Sequence, residues 1–395
     1  MNSKLALGII VAIILFFIFG LIYFAGGEVV YEAKEPDAKT NVILEKKVIH
    51  LSTPDPLKAV YMTQCVLATP SLRNRLVNLV EETELNAIVI DIKDYTGTVV
   101  FNTGEKSIDD LSALGKGCRA KDTQDFITEL HDRQIYTIGR VTVFQDPLYT
   151  KVYPETAVKR ESDGSVWKDR KGLSFIDVGA KTYWDHVVAT AKAAYDIGFD
   201  EINFDYIRFP SDGNMNDTYF EHTGTTTKPE MLRQFFEYLD SKLSQTDIIT
   251  SADVFGMVTT DAKDLSIGQV LEYALMYFDY VAPMVYPSHY PPYFNGWVDP
   301  NKVPYDIIKF NMDGAIARSD FLKLEIASSS PHSPLLKRLG RHQLRPWLQD
   351  FDYPVDYTSD MVRAQIQATY DSGLTSWMLW DPSNIYTKEA LLLEL

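Results

Sequence analysis

From Leu57 to the C-terminus, short apolar stretches of strand character alternate with longer stretches of helical periodicity, eight times over. The strand-like stretches are Ala59–Val66, Asn86–Lys93, Ile135–Val143, Glu201–Tyr206, Ile248–Asp253, Tyr280–Tyr286, Leu344–Gln349 and Thr375–Trp380. Helical stretches lie between them at Ser71–Thr83, Asp122–Arg133, Tyr183–Ile197, Pro229–Leu243, Leu265–Tyr277, Tyr305–Leu322 and Thr358–Ser372, and Lys388–Leu395 closes the chain. Strands that each lead into a helix pair in parallel through crossovers, and eight such units predict a (β/α)8 TIM barrel. An open, doubly wound sheet is the competing arrangement. It would carry a glycine-rich first turn, and none comes after Ala59–Val66.

Ahead of this domain, residues 57–395, lies an uninterrupted apolar run, Leu5–Ala25, of bilayer-spanning length. It predicts one N-terminal transmembrane helix, a signal-anchor over residues 1–25. Lys4 and the amino terminus lie on one side, and Glu28, Glu32, Glu35 and Asp37 on the other. The positive-inside tendency then makes this a single-pass protein of the cell membrane with an extracytoplasmic body. A cleaved signal peptide is the alternative, and it too exports the domain. Residues 26–56, acidic and then mixed, with Pro36, Pro54 and Pro56, read as a linker. The net charge is −16, with no lysine- or arginine-rich run, which excludes a nucleic-acid partner. Cys65 and Cys118 form either a single bridge or two small buried hydrophobes.

The most informative stretch is Gly198–Gly213, in which Ile202 and Phe204 share one strand face while Asn203 and Asp205 share the other. A strand flanked by helices is buried on both sides, so polar residues at its end are costly unless they face a ligand or each other. The other strands end alike. The second contributes Asp91 and Lys93, two apart and therefore expected on one face, and the third Arg140 with Asp146 beyond it. The fourth adds Tyr206 and Arg208, the fifth Asp253, the sixth Tyr286 and His289, the seventh Asp350, and the eighth Trp380 and Asp381. Asp350 and Asp381 could equally cap the next helical segment. Together the endings predict an acidic ring with interleaved aromatics around one mouth.

Such a ring suits cleavage of a glycosidic bond in an oligo- or polysaccharide. Two carboxyl groups act as acid and as base or nucleophile, and aromatic faces carry sugar rings. Asp205 and Asp253 end consecutive strands and are the expected catalytic pair, with Asp253 the acid. Asp91, Lys93, Arg140, Asn203, Tyr206, Arg208, Tyr286, His289, Asp350, Trp380 and Asp381 are the expected substrate-binding residues. Arg208 and Lys93 are expected to hold Asp205 ionised. The bland alternative is a set of structural ion pairs, Asp205–Arg208 or Asp91–Lys93. Seven scattered histidines show no metal-ligand spacing, no Gly-x-Ser-x-Gly elbow is present, and no cofactor is called for. Two other classes stay open: a barrel that binds glycans without cleaving them, and an exported protein-binding scaffold.

The stretches Leu85–Tyr95, Gly198–Asp212, Ser251–Gly256, Pro283–Tyr290, Leu344–Phe351 and Trp380–Asn384 together resemble the bacterial putative glycosyl hydrolase domain family, often found behind a membrane anchor. The resemblance implies a glycosidase-like barrel. A weaker likeness is to chitinase-type glycosidases, whose fourth strand carries Asp-x-x-Asp-x-Asp-x-Glu. Aligned on Asp205, this chain offers Asp200, Asn203 and then Ile207 where the acid should stand. Ile207 cannot donate a proton, so either an acid comes from another strand or there is none.

Overall fold

The computed structural model describes residues 13–15 and 48–393. The chain divides into two units, Met1–Lys47 and Val48–Leu395. Within the first, residues 13–15 are helical, and the rest of the expected membrane span and most of the expected linker lie outside the described residues. Among the described residues no helix is long and apolar enough to cross a membrane.

The second unit is built on eight parallel strands: β1 (Lys58–Met62), β2 (Ala87–Lys93), β3 (Tyr136–Thr142), β4 (Glu201–Asp205), β5 (Ile249–Phe255), β6 (Tyr280–Met284), β7 (Trp347–Gln349) and β8 (Trp377–Trp380). Each pairs with its sequence neighbours, and β8 closes on β1 with Ala59 opposite Met378. The sheet is a closed α/β barrel. Its crossovers carry α1 (Pro70–Glu81), α2 (Thr123–Asp132), α3 (Lys181–Asp196), α4 (Lys228–Leu243), α5 (Leu271–Tyr277), α6 (Pro304–Ser329) and α7 (Ser359–Asp371). Alternation along each strand sends two side-chain sets in opposite directions. Val60, Met62, Ile88 and Ile90 pack outward against the helices, while Ala59, Tyr61, Ala87, Val89, Tyr136, Ile138 and Trp347 fill the lumen.

Three local departures from the expected elements have clear causes. β1 stops at Met62 because the Thr63 hydroxyl accepts the Val66 amide and starts a helical turn, Gln64–Leu67. The helix expected over Leu265–Tyr277 begins only at Leu271. Leu265 and Ser266 have φ of 50° and 61°, a left-handed backbone that no α-helix continues. In β2 the register slips between Asp91 and Lys93, so that Asp91 faces Arg140 but Lys93 faces Val141. That bulge turns Lys93 to the opposite side of the sheet from Asp91.

The expected linker ends seated on the barrel. At its N-terminal end the Leu51 amide donates to Asp200 (2.6 Å) and Thr53 Oγ1 lies 3.0 Å from the Tyr136 hydroxyl. Cys65 and Cys118 are disulfide-bonded, which ties the turn after β1 to the loop after β2. The long loops after β3 and β4 pair through a short antiparallel ribbon, Lys159–Arg160 with Thr218–Tyr219. In the aromatic insert after β6, Phe294 and Trp297 pack on Phe310 of α6, at 5.9 and 5.7 Å between ring centres.

Candidate active site

The carboxyl end of the barrel is organised around Arg140. Asp91, Arg140, Asn203 and Ser251 occupy one level of the register on β2 to β5, and Asp205 and Asp253 stand two residues further along β4 and β5. The period of two therefore directs all six into the lumen. Arg140 Nη1 donates to Asp91 Oδ1 (2.5 Å), Nη2 donates to Asp205 Oδ2, and Nε lies 3.8 Å from Asp253 Oδ2. One guanidinium thus serves three carboxyl groups, and all four residues are at most 5% exposed.

The remaining oxygens are held in place. Asp253 Oδ1 accepts from Trp347 Nε1 (2.8 Å) and Asn203 Nδ2 (3.0 Å), and Asn203 also donates to Ser251 Oγ (3.1 Å). The Tyr61 hydroxyl donates to the second oxygen of Asp91, and the Tyr206 amide donates to Asp205 Oδ1 (2.5 Å). Tyr206 reaches that position with φ of 53°, the left-handed turn that ends β4.

Burial is the dominant electrostatic influence here. It pushes the Asp253 carboxyl up to about 8, reinforced by the charge of Asp205 and opposed by Arg140, Asn203 and Trp347. Asp91 is raised to about 6, again by burial, which outweighs the guanidinium and the Tyr61 hydroxyl. Burial therefore favours the protonated form of Asp253. The wall beside these groups is aromatic: Tyr61 stacks on Trp380 with centres 3.8 Å apart, Trp347 meets Trp380 edge-on at 5.5 Å, and Arg140 lies 5.0 Å from the Trp380 ring. Among the described residues no group of three or more His, Cys, Asp or Glu is placed to hold a metal ion.

The family model described as "Putative glycosyl hydrolase domain" matches residues 59–386, which carry every one of these groups. The chain belongs to this family. No functionally curated protein matches it in sequence. A hypothetical protein from Ruminiclostridium thermocellum is 32% identical, covering 49% of this chain and 97% of its own, with a TM-score of 0.44. The PgaB (BpsB) glycoside hydrolase domain from Bordetella bronchiseptica is 12% identical, covering 86% of this chain and 100% of its own, with a TM-score of 0.56. A chitinase from Chromobacterium violaceum is 14% identical over 85% of this chain and 96% of its own, with a TM-score of 0.49. The PgaB likeness concerns the barrel fold.

Within this glycosyl hydrolase barrel, the expected site residues other than Lys93 divide into three groups. Asp91, Arg140, Asn203, Asp205, Asp253 and Trp380 converge as described, and Tyr286 is buried close enough to Asp253 and Asp205 that their charges help raise its hydroxyl, after burial itself. At the rim, Tyr206 and Arg208 stack with 4.8 Å between guanidinium and ring, and the exposed His289 meets Phe351 and Tyr286 edge-on at 6.2 and 5.3 Å. Asp350 and Asp381 are spent on the C-terminal loop. Asp350 accepts from the Thr387 amide (3.0 Å) and hydroxyl (2.6 Å), and Asp381 accepts the Ser383 amide (2.5 Å).

Two expectations about charge are corrected. Lys93 does not hold Asp205: the bulge in β2 carries it outward to Asp146 (2.8 Å), the Thr142 carbonyl (2.6 Å) and the Tyr183 hydroxyl of α3 (3.1 Å). Nor does Arg208 pair with Asp205, whose ionic partner is Arg140. Asp200, aligned with the first acid of the chitinase pattern, lies at the opposite end of β4, bonded to Thr137 and His131. Sequence reasoning did not single out Tyr61 and Trp347. Their signal was parity alone: each is an aromatic on the same strand face as other lumen residues.

Proposed function

We propose that the barrel hydrolyses O-glycosidic bonds of a cell-surface or extracellular polysaccharide, with Asp253 as the general acid and Asp205 as the base or nucleophile. The observation that carries this reading is the unequal pair around Arg140. Asp253 is buried, biased toward its protonated form and held by Trp347 and Asn203, while Asp205 on the adjacent strand is in direct contact with the guanidinium. A bond cleaved through an oxocarbenium-like transition state needs a proton donor on the leaving oxygen and a negative charge near the anomeric carbon. Asp253 can deliver the proton that Ile207 cannot. Trp380, partly exposed and backed by Tyr61, offers an apolar surface for a sugar ring. We further propose that the chain is anchored through Leu5–Ala25, with the barrel outside the cytoplasm. The Cys65–Cys118 disulfide supports this, since such bonds persist in oxidising compartments.

The test is a polysaccharide panel with the wild type, Asp205→Asn and Asp253→Asn. Turnover lost in both variants, with glycan binding retained, supports the mechanism. Undiminished turnover in either removes that residue. Binding without turnover in the wild type across the whole panel would replace the hydrolase by a non-catalytic glycan-binding barrel.

A further inference from the structure

The least compensated charge near the mouth belongs to Arg208. It lies three residues beyond β4 and is 9% exposed. Its guanidinium is clasped by aromatic rings, 4.8 Å from Tyr206, 4.8 Å from Phe255 at the end of β5, and 6.0 Å from Phe175 in the loop after β3. Its Nη1 donates to the Phe209 carbonyl (3.1 Å) and to Ser211 Oγ (3.2 Å). Among the described residues no carboxylate lies within 4 Å of it. Tyr206 favours its charge most, and the two acids that add to this are committed elsewhere: Asp205 to Arg140, and Asp169 to the Lys171 and Leu173 amides. Burial accordingly lowers its proton affinity.

A cation enclosed this way is expensive. Ring faces attract a guanidinium from above and below, but they cannot accept the in-plane N–H donors of its edge. Burying a charge without an opposite partner costs several kcal/mol in general, and arginine's fork matches a carboxylate or phosphate in two parallel hydrogen bonds. The other buried arginines of the barrel interior, Arg140 and Arg345, have such partners in Asp91, Asp205 and Glu201. Arg208 has its aromatic clasp and an edge without an ionic acceptor, at the rim between the ends of the two strands that carry Asp205 and Asp253.

We propose that Arg208 is a specificity-determining residue that receives an anionic substituent, a carboxylate or phosphate borne by one sugar of the glycan. The proposal rests on the hydrolase reading for its substrate class. It concerns one local group, because the chain's net charge of −16 opposes a long polyanion. Tyr206 and Phe255 hold the guanidinium plane, so the fork is formed before the ligand arrives.

The experiment measures calorimetric binding of three probes to the full chain: an oligosaccharide containing a uronic acid, its carboxyl-reduced neutral counterpart, and the same neutral chain bearing a phosphate. The expected result is a preference of about ten- to a hundredfold for one or both anionic probes over the neutral one. It should vanish in Arg208→Gln, survive in part in Arg208→Lys, and weaken with salt. Whichever anionic probe is preferred identifies the substituent. Equal binding of all three probes by the wild type, or a preference that persists in Arg208→Gln, overturns the proposal, and the wild-type comparison decides even if that variant does not fold. Binding needs no bond cleavage, so the two readings fail separately. An Arg208-dependent preference without turnover of any glycan sinks the hydrolase alone, whereas equal binding and equal cleavage of neutral and anionic probes sinks this inference alone.

Discussion

The two ends of the barrel lumen are built from the same ingredients in different proportions. At the N-terminal end, Arg345 Nη1 donates to Glu201 Oε2 (2.9 Å), the Tyr136 hydroxyl donates to the same oxygen (3.2 Å), and the Arg345 guanidinium lies 3.0 Å from the Tyr280 ring centre. One cation meets one carboxylate, and the segment that carries Leu51 and Thr53 is seated there. At the carboxyl end one guanidinium meets three carboxyl groups, two of which burial raises to about 6 and about 8. A balanced buried pair can only hold the fold together. An overloaded one keeps a proton that can be given away, and that excess marks the end at which chemistry is expected.

The largest effect should come from unbalancing the carboxyl end. Asp253→Asn preserves the oxygen that accepts from Trp347 and Asn203 but removes the acid, and Asp205→Asn removes the charge facing Arg140. Each should lower kcat/KM by about 10²–10⁴-fold, with circular dichroism little changed, whereas Glu201→Gln should leave turnover per folded molecule close to wild type. The converse applies at the balanced end. Arg345→Met strands Glu201 in the lumen and should cost about 3–5 kcal/mol in denaturant unfolding, with the pH profile of the remaining folded enzyme unmoved.

Next in size is the staple beside the mouth. Replacing Cys65 and Cys118 by alanine frees a separation of 53 residues and should cost about 2–4 kcal/mol. Hydrogen exchange should show the loosening concentrated at the loops after β1 and β2, leaving the Arg345 end protected. The smallest effect is the pH response. Because Asp253 must be protonated to act, kcat/KM should fall about tenfold per pH unit above about 8. The same shift has a stability consequence. The native state binds this proton more tightly than the unfolded chain, whose aspartates titrate near ~4. The contribution of Asp253 to stability is therefore greatest in acid and declines as pH rises from about 4 through about 8. Asp253→Asn should remove that part of the slope, which a pair of urea titrations at low and high pH would read.

Much of the fold and part of the site could be read from the chain. Ile202 and Phe204 against Asn203 and Asp205 set the face of β4, and Asp253 at the end of the next strand had to stand beside it once the barrel closed. Arg140 was recognised as a site residue but not as the bridge, because nothing local says which carboxyl groups one guanidinium will reach. Lys93 shows the limit most clearly. Its spacing from Asp91 argued for a shared face, and one slipped residue in β2 reversed it. Asp350 and Asp381 stood at the correct strand ends, yet Thr387 from further along the chain claimed Asp350, and Asp381 closes a local turn on the Ser383 amide.

What the sequence alone determined was periodic: eight strands, their crossover helices, and the parity that sends polar tips inward, since alternation and amphipathicity are properties of neighbouring residues. What only the tertiary structure decided was partnership. Arg140 with its three carboxyl groups, Trp347 on Asp253, Tyr61 on Asp91 and Lys93 on Asp146 join residues from different strands and loops. Their distances are set by closure of the barrel and by one bulge. The energy of a buried charge depends on those distances and on the water excluded around it, and neither exists until the chain has closed on itself.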